Sequence, residues 1–181
     1  MNAALTWLWR FTILLMLLIH THCMEIAHAD NERRADYIAA AKAQEWKYQL
    51  PLGLLGAVCE QESRWNPGAT SSRGALGVCQ IMPTTFTYLI KELQRTHGLE
   101  DDGIIGPKTW QEFRPGVPYV RMTDQERLYD PFQNIEWAAF YLKWIETHVD
   151  DDPTVMLGVY YAGQRNAIVR YQRETLERWQ R

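Results

Sequence analysis

Two glutamates separated by one residue, Glu60 and Glu62, carry the clearest chemical signal in this sequence. In a helix, Glu62 lies on one face with three apolar side chains at steps of three or four: Leu55, Val58 and Trp65. Glu60 points away from that face and precedes Arg64 by four residues, the favourable order for a surface ion pair. The spacing therefore predicts one sheltered carboxyl group and one solvated carboxyl group.

A sheltered carboxyl group is suited to proton transfer. Apolar surroundings disfavour the charged form, so they raise the pKa of a carboxyl group. A raised pKa keeps the proton available near neutral pH, as a general acid requires. Glu62 is therefore a candidate general acid. The alternative is a helix glutamate that hydrogen-bonds a neighbouring loop, and helical spacing alone does not decide between the two.

The stretch Gly74–Pro83 follows with the letters Gly-Ala-Leu-Gly-Val-Cys-Gln-Ile-Met-Pro. Two glycines beside an apolar turn let the backbone approach a ligand closely. Gln80 is a polar side chain inside an otherwise apolar run. It is either a core amide with satisfied hydrogen bonds or a ligand contact, and both interpretations stay open.

Apolar periodicity predicts helices over six segments: 31–48, 51 to about 65, 84–93, 131 onward, 153 to about 162, and 165–181. In the first, Ala35, Ala39, Ala43 and Trp46 recur at helical steps. Pro51 is suited to the first position of the second helix. Residues 70–77 are turn-rich or β-like, and residues 97–127 are rich in Gly and Pro and are predicted to be mostly loop. The predicted class is mostly α, with room for one small β-hairpin.

Composition indicates one folded domain. The chain has 181 residues, of which 46% are hydrophobic, and this excludes a disordered protein. The net charge is −3 and no strongly basic run occurs, so nucleic acid is excluded as a partner. No metal or cofactor is expected, because His20, His22 and Cys23 are the only cluster of ligand type and lie in the N-terminal segment.

That N-terminal segment has the pattern of a secretory signal over residues 1–29. Arg10 precedes nine mostly apolar residues, Phe11–Ile19, which are too few to span a bilayer. Ala27-His28-Ala29 then offers a small-x-small cleavage site. The predictions are export to the periplasm or cell envelope and a mature domain over 30–181. The alternative is an uncleaved anchor in the inner membrane, because residues 3–9 lengthen the apolar stretch.

Cleavage after Ala29 would leave two cysteines, Cys59 and Cys79. An exported protein meets an oxidising compartment, so an even pair indicates a disulfide. A bridge closing a loop of this size stabilises a fold by about 3 kcal/mol. The alternative is two buried free thiols that pack as small hydrophobic groups.

The motif around Glu62 resembles a known family. Glu62–Pro67 followed by Gly74–Pro83 is similar to the signature of the soluble-type lytic transglycosylases, which share a goose-lysozyme-like α fold. Asn134-Ile135 resembles the start of the family's Asn-Ile helix, and Tyr160–Gly163 resembles its Tyr-Asn-Ala-Gly block. These blocks follow one another in the family's order over roughly residues 33–175.

The resemblance implies a reaction and a set of site residues. By this resemblance, Glu62 is expected to be the single acid/base that cleaves the β-1,4 bond from N-acetylmuramic acid to N-acetylglucosamine in peptidoglycan and forms a 1,6-anhydro end. The implied sugar-groove residues are Ser71, Gln80 and Met82, with core packing as the alternative for Met82. Tyr160 is expected to reach Glu62 or the sugar beside it, and Ser63 to fix the glutamate or cap a turn. The enzyme is expected to act as a monomer. A hydrolytic muramidase and a non-catalytic peptidoglycan-binding protein remain the alternatives.

Two departures from the family pattern stand out. Tyr161 occupies a position where the family has Asn. The stretch between Pro83 and Asn134 is longer than the family requires, which predicts an insertion at about 94–128. Leu93-Gln94 and Asp102–Trp110 resemble about half of a peptidoglycan-binding repeat, and the alternative is a pair of turns in a long loop. We expect this insertion at the rim of the groove.

Overall fold

The protein is mostly α-helical, as predicted. The computed structural model describes residues 3–161, and the predicted helix at 165–181 lies outside them. Seven helices occur within the described residues: α1 (Ala3–Tyr48), α2 (Leu54–Ser63), α3 (Pro83–Thr96), α4 (Pro107–Phe113), α5 (Asp124–Tyr129), α6 (Pro131–His148) and α7 (Pro153–Tyr161). Three helix starts predicted at prolines, at Pro83, Pro131 and Pro153, are confirmed, because proline suits the first turn of a helix.

The chain divides into two units, residues 1–36 and residues 37–181. The described part of the first unit belongs to α1 and exposes seven large apolar side chains: Leu15, Met16, Leu17, Leu18, Ile19, Met24 and Ile26. Within residues 3–161, none of the helices combines the length and the apolar character needed to cross a bilayer.

The second unit is built around α6, which packs against α2, α3, α5 and α7. Trp137 of α6 is fully buried and stacks on Phe113 with 4.0 Å between ring centroids. Phe86 of α3 meets the same indole edge-on at 5.0 Å. Large aromatic groups bury much apolar area, so this cluster anchors three helices to one another.

The face of α1 that packs into this unit differs from the predicted apolar stripe. Trp46 is 80% exposed, and Ala39 and Ala43 also face solvent. The buried side carries Tyr37, whose ring meets Phe132 at 5.7 Å, together with Ala41 and Glu45. Alanine offers little apolar area, so a stripe of alanines does not decide which side of a helix is buried. Here the contacts of Tyr37 with Phe132 and of Glu45 with the start of α2 hold the other side inward.

The region at 97–127, expected to be mostly loop, contains two short helices, α4 and α5. α5 begins with a capping box, in which Thr123 and Glu126 bind each other's backbone N–H groups. The buried Gln94 holds the loop between α3 and α4 by donating to Asp102 and accepting from the Gly103 N–H. Helices of six or seven residues are too short to show apolar periodicity, although their capping residues are visible in the sequence.

Candidate active site

Helix α2 carries Glu62, and both of its ends differ from the prediction. The helix begins at Leu54, so Pro51 lies in a turn before it and not at its first position. It ends at Ser63, and Trp65 has a positive φ of 66° outside the helix. The predicted apolar face nevertheless persists, because Leu55, Val58 and Trp65 are all buried. Glu62 therefore lies in the last turn of a helix whose inner face forms part of the core.

The predicted contrast between a solvated Glu60 and a sheltered Glu62 is wrong. Both side chains are half-buried. Arg64, the partner expected for Glu60 at helical spacing, is the left-handed C-cap of α2 with φ 55°, so it has left the helical path. The i, i+4 rule applies only while the helix continues.

Ser63 joins the end of α2 to the following turn. Its hydroxyl donates to the Val78 carbonyl at 2.6 Å and accepts from the Asn66 N–H at 2.9 Å. Of the two roles expected for Ser63, these bonds are those of a turn cap, and they also hold the residue next to Glu62.

A disulfide joins the same two segments. Cys59 of α2 is bonded to Cys79, and both residues are fully buried. The structure therefore has the bridge and not two free thiols. Since Cys59 lies one turn before Glu62, the disulfide anchors the C-terminal end of α2 to residues 76–81.

Residues 70–81 form tight turns that are closed by two isolated antiparallel bridges, Thr70 with Leu76 and Leu76 with Ile81. No strand is assigned within residues 3–161, so the predicted small hairpin reduces to these bridges. Gly77 has φ 78°, and a Cβ there would lie 2.1 Å from the Leu128 carbonyl oxygen. Only glycine fits this position, because both the backbone angle and the close approach exclude a side chain.

Asn134, fully buried at the start of α6, joins these turns to α5 by three hydrogen bonds, two to the turns and one to Leu128. Its amide donates to the carbonyls of Leu76 and Leu128 at 2.9 Å each, and its carbonyl accepts from the Cys79 N–H at 2.7 Å. Both N–H groups and the carbonyl oxygen of this buried amide are thus hydrogen-bonded. The start of α6 therefore sets where Cys79 lies.

Three of the expected groove residues lie on the turns or directly after them. Gln80 is half-buried with φ 52°, and its amide nitrogen donates to the carbonyls of Ala69 and Gly77 at 3.1 and 2.9 Å. The Ser71 hydroxyl accepts from the Ala75 N–H at 2.9 Å. Met82 is half-buried at the N-cap of α3. The side-chain carbonyl oxygen of Gln80 accepts no hydrogen bond within the described part of the chain, so it remains available to a ligand.

Tyr160 of α7 completes the arrangement. Its hydroxyl donates to the Cys79 carbonyl at 2.9 Å, and the residue is only 9% exposed. Burial raises the pKa of Tyr160 well above its ordinary value, and the nearby Glu62 carboxylate and Tyr141 raise it further. The phenol is therefore neutral at physiological pH, and it lies close enough to Glu62 to respond to its charge.

One residue of this arrangement gave no recognisable pattern in the sequence. Glu45 of α1 is 1% exposed, and its carboxylate accepts hydrogen bonds from the N–H groups of Gly53 and Gly56 at the start of α2. The sequence holds one signal for it: positions 51–53 offer no side chain that could cap α2, so an acceptor from elsewhere in the chain is needed. Among the residues described, no three His, Cys, Asp or Glu side chains are grouped so that they could hold a metal ion.

Comparisons with known proteins identify relatives of this chain. The family model for the transglycosylase SLT domain matches residues 39–178. The soluble lytic murein transglycosylases of Escherichia coli strain K12 and of Escherichia coli O157:H7 are each 31% identical over 78 residues, which is 43% of this chain and 12% of the relative. An X-ray structure of an inactive mutant of the lytic transglycosylase Slt from Pseudomonas aeruginosa aligns with 78% of this chain and 21% of that chain, at 20% identity and a TM-score of 0.49. The chain thus spans less than a quarter of the length of these relatives.

Proposed function

Because the chain belongs to the transglycosylase SLT domain family, we propose that it is a lytic transglycosylase that cleaves the glycan strands of peptidoglycan, with Glu62 as its only catalytic acid and base. This family membership agrees with the lysozyme-like fold expected from the sequence. The observation that carries the assignment of Glu62 is its position. It is a half-buried carboxyl group on a disulfide-anchored helix, and its negative charge helps to raise the pKa of the buried Tyr160.

In the first step, protonated Glu62 donates its proton to the oxygen that links N-acetylmuramic acid to N-acetylglucosamine. The bond between that oxygen and the anomeric carbon breaks, and an oxocarbenium-like transition state develops. Most glycosidases stabilise this state with a second carboxylate. The aspartates at 101, 102, 150, 151 and 152 are exposed, so they are poor candidates for that role. We assign the stabilisation to the N-acetyl group of the substrate itself.

In the second step, ionised Glu62 takes a proton from the 6-hydroxyl of the same muramic acid ring. The freed oxygen attacks the anomeric carbon and closes a 1,6-anhydro ring. The proton that Glu62 gave to the leaving oxygen is thereby replaced, and no water is consumed. One carboxyl group is sufficient because it acts as acid and then as base, and proton transfer of this kind contributes about 10²–10⁴-fold to the rate.

The neighbouring residues support Glu62 in this scheme. Tyr160 remains neutral, so it adds no negative charge that would oppose the ionisation of Glu62 in the second step. The side-chain carbonyl oxygen of Gln80 is available to accept a hydrogen bond from the sugar, and we assign Ser71 and Met82 to the same sugar-binding surface. Ser63 contributes by holding the end of α2 against Val78.

The decisive experiment is digestion of purified peptidoglycan followed by mass spectrometry of the released muropeptides. Anhydro-muramic ends support the proposed reaction. Reducing ends would identify a hydrolytic muramidase, which requires a carboxylate that activates water. If the protein sediments with insoluble cell wall but releases no fragments, it is a binding protein and the catalytic proposal is wrong.

We also propose that the chain is exported and acts in the cell envelope, with residues 1–29 as the signal. The buried disulfide supports this location, because such bridges persist in oxidising compartments. Sequencing the N-terminus of the protein recovered from the envelope tests the proposal. A first residue at Asp30 indicates cleavage, whereas retention of residues 1–29 in a membrane fraction indicates an anchor. Recovery from the cytoplasm alone would contradict export.

A further inference from the structure

Helix α2 begins without a capping side chain of its own. Its N-cap residue is Gly53, which has a left-handed φ of 86° and no side chain to accept a hydrogen bond. The first backbone N–H groups of any helix have no partner within the helix, so they need an acceptor from elsewhere. Here the acceptor is Glu45 of α1, whose two carboxylate oxygens bind the N–H groups of Gly53 at 2.8 Å and of Gly56 at 3.1 Å.

This contact is a strong one in physical terms. Glu45 is 1% exposed, and a buried carboxylate is costly unless hydrogen bonds replace its lost water. Both oxygens of Glu45 have such partners, and the positive end of the helix dipole adds a favourable field. Two separate donors also fix direction as well as distance. The carboxylate therefore restrains both the position and the rotation of the start of α2.

The turn that carries Glu45 is itself held in place. The backbone carbonyl of Glu45 accepts from the Leu50 N–H at 2.9 Å. Two residues later, Lys47 forms an ion pair of 2.7 Å with the buried Glu136 of α6. α6 is also the helix whose Asn134 holds Cys79. Both ends of α2 are thus connected to α6: the start through Glu45 and the neighbouring Lys47, and the end through Cys79.

A helix held at one point can pivot about it, whereas a helix held at two points keeps its axis and its rotation. The disulfide at Cys59 and the Glu45 carboxylate are two such points. Glu62 lies nine residues after Gly53, about 13 Å along the helix axis, so a small rotation at the start displaces its carboxyl group. Proton transfer tolerates little displacement, and an error of about 1 Å can cost about a hundredfold in rate.

We propose that Glu45 is a positioning residue for the reaction of Glu62, acting through α2 without touching the substrate. The inference rests on the proposed function. It also accounts for a buried carboxylate in α1 that the proposed mechanism does not otherwise use.

The test compares Glu45→Ala and Glu45→Gln with wild type in steady-state cleavage of soluble glycan strands, at a temperature where circular dichroism shows each protein folded. Glutamine keeps one acceptor oxygen, so it is the milder change. We expect kcat to fall about ten- to a hundredfold in Glu45→Ala and less in Glu45→Gln, with KM unchanged in both. Amide exchange at Gly53 and Gly56 should quicken in the same order.

Thr123→Ala is the matched control, because it removes the cap of α5, a helix that does not carry Glu62. It should lower stability with kcat unchanged. A positioning role is rejected if folded Glu45→Ala keeps the wild-type kcat, or if Thr123→Ala loses kcat to the same degree. An inactive wild-type protein would instead reject the proposed function, and the role of Glu45 with it.

Discussion

The Tyr160 hydroxyl donates a 2.9 Å hydrogen bond to the main-chain carbonyl of Cys79, 81 residues earlier in the chain. Cys79 is at the same time the disulfide partner of Cys59 and the residue whose N–H binds Asn134. A single residue without a catalytic group thus connects α2, α6 and α7 around Glu62. Several expected properties of the protein depend on this convergence.

The first prediction separates the two glutamates of α2. Glu62→Gln should reduce glycan cleavage by about 10²–10⁴-fold or more, because the amide keeps the shape of the side chain but cannot donate an acidic proton. Glu60→Gln, the matched control two residues away, should retain most activity. Release of muropeptides measures both rates, and the melting temperature shows whether each variant is folded. Activity lost in Glu60→Gln but kept in Glu62→Gln would show that the catalytic carboxyl was assigned to the wrong residue.

A second prediction concerns the bond that Tyr160 makes. Tyr160→Phe leaves the ring in place but deprives the buried Cys79 carbonyl of its donor, so it should cost about 1–3 kcal/mol in the free energy of unfolding. Urea denaturation measures the change. Tyr88→Phe removes a hydroxyl from an exposed tyrosine and should change stability little. Equal effects of the two substitutions would mean that the hydrogen bond to Cys79 adds no more to the free energy of unfolding than an exposed hydroxyl group does.

The same tyrosine predicts how stability depends on alkaline pH. Burial raises the pKa of Tyr160 in the folded protein, whereas the unfolded value is about 10. Below that pH both states keep the proton, so the contribution to stability is complete. Above it the unfolded chain loses the proton first, and the free energy of unfolding falls by up to about 1.4 kcal/mol per pH unit for this group. Denaturation between pH 9 and 12 should therefore show a steeper loss in wild type than in Tyr160→Phe. Parallel curves would contradict a raised pKa.

The close approach at Gly77 is tested by a pair of glycines. Gly77→Ala forces a Cβ to within 2.1 Å of the Leu128 carbonyl and 2.5 Å of the Asn134 amide nitrogen. Gly74 has a similar φ of 86°, but a Cβ there meets nothing within 4 Å. Gly74→Ala should therefore cost only the backbone strain, about 1–2 kcal/mol, and Gly77→Ala clearly more. Chemical denaturation of both variants measures the difference, and similar losses would show that the turn relaxes away from Leu128.

Removal of the disulfide should weaken both stability and catalysis. In the double substitution Cys59→Ala with Cys79→Ala, the free energy of unfolding should fall by about 3 kcal/mol, since the unfolded chain regains the freedom of the closed loop. Glycan cleavage should also fall, because α2 loses its covalent link to Cys79. Wild-type protein treated with a reductant provides the comparison, and the double variant should not respond to that reductant. A double variant with wild-type activity would show that Glu62 needs no anchor at Cys59.

Local sequence was sufficient for the features that depend on neighbours in the chain. Prolines at 83, 131 and 153 marked three helix starts, since their fixed φ and missing N–H suit a first turn. The helical spacing of Leu55 and Val58 predicted the buried face of α2, because it depends only on residues within one turn or two of each other. The motif around Glu62 likewise predicted the correct family.

Tertiary structure decided the contacts between segments that are distant in the sequence. Partners far away in the sequence determine which side of α1 is buried, where α2 stops and which carbonyl Tyr160 binds. No periodicity of the sequence encodes these three features. Glu45 is the plainest case: in the sequence it is one more charged residue in a helix, and only the folded chain brings it to the N–H groups of Gly53 and Gly56. A buried charge is tolerated only where the fold supplies its partners, so its role arises from the assembled structure.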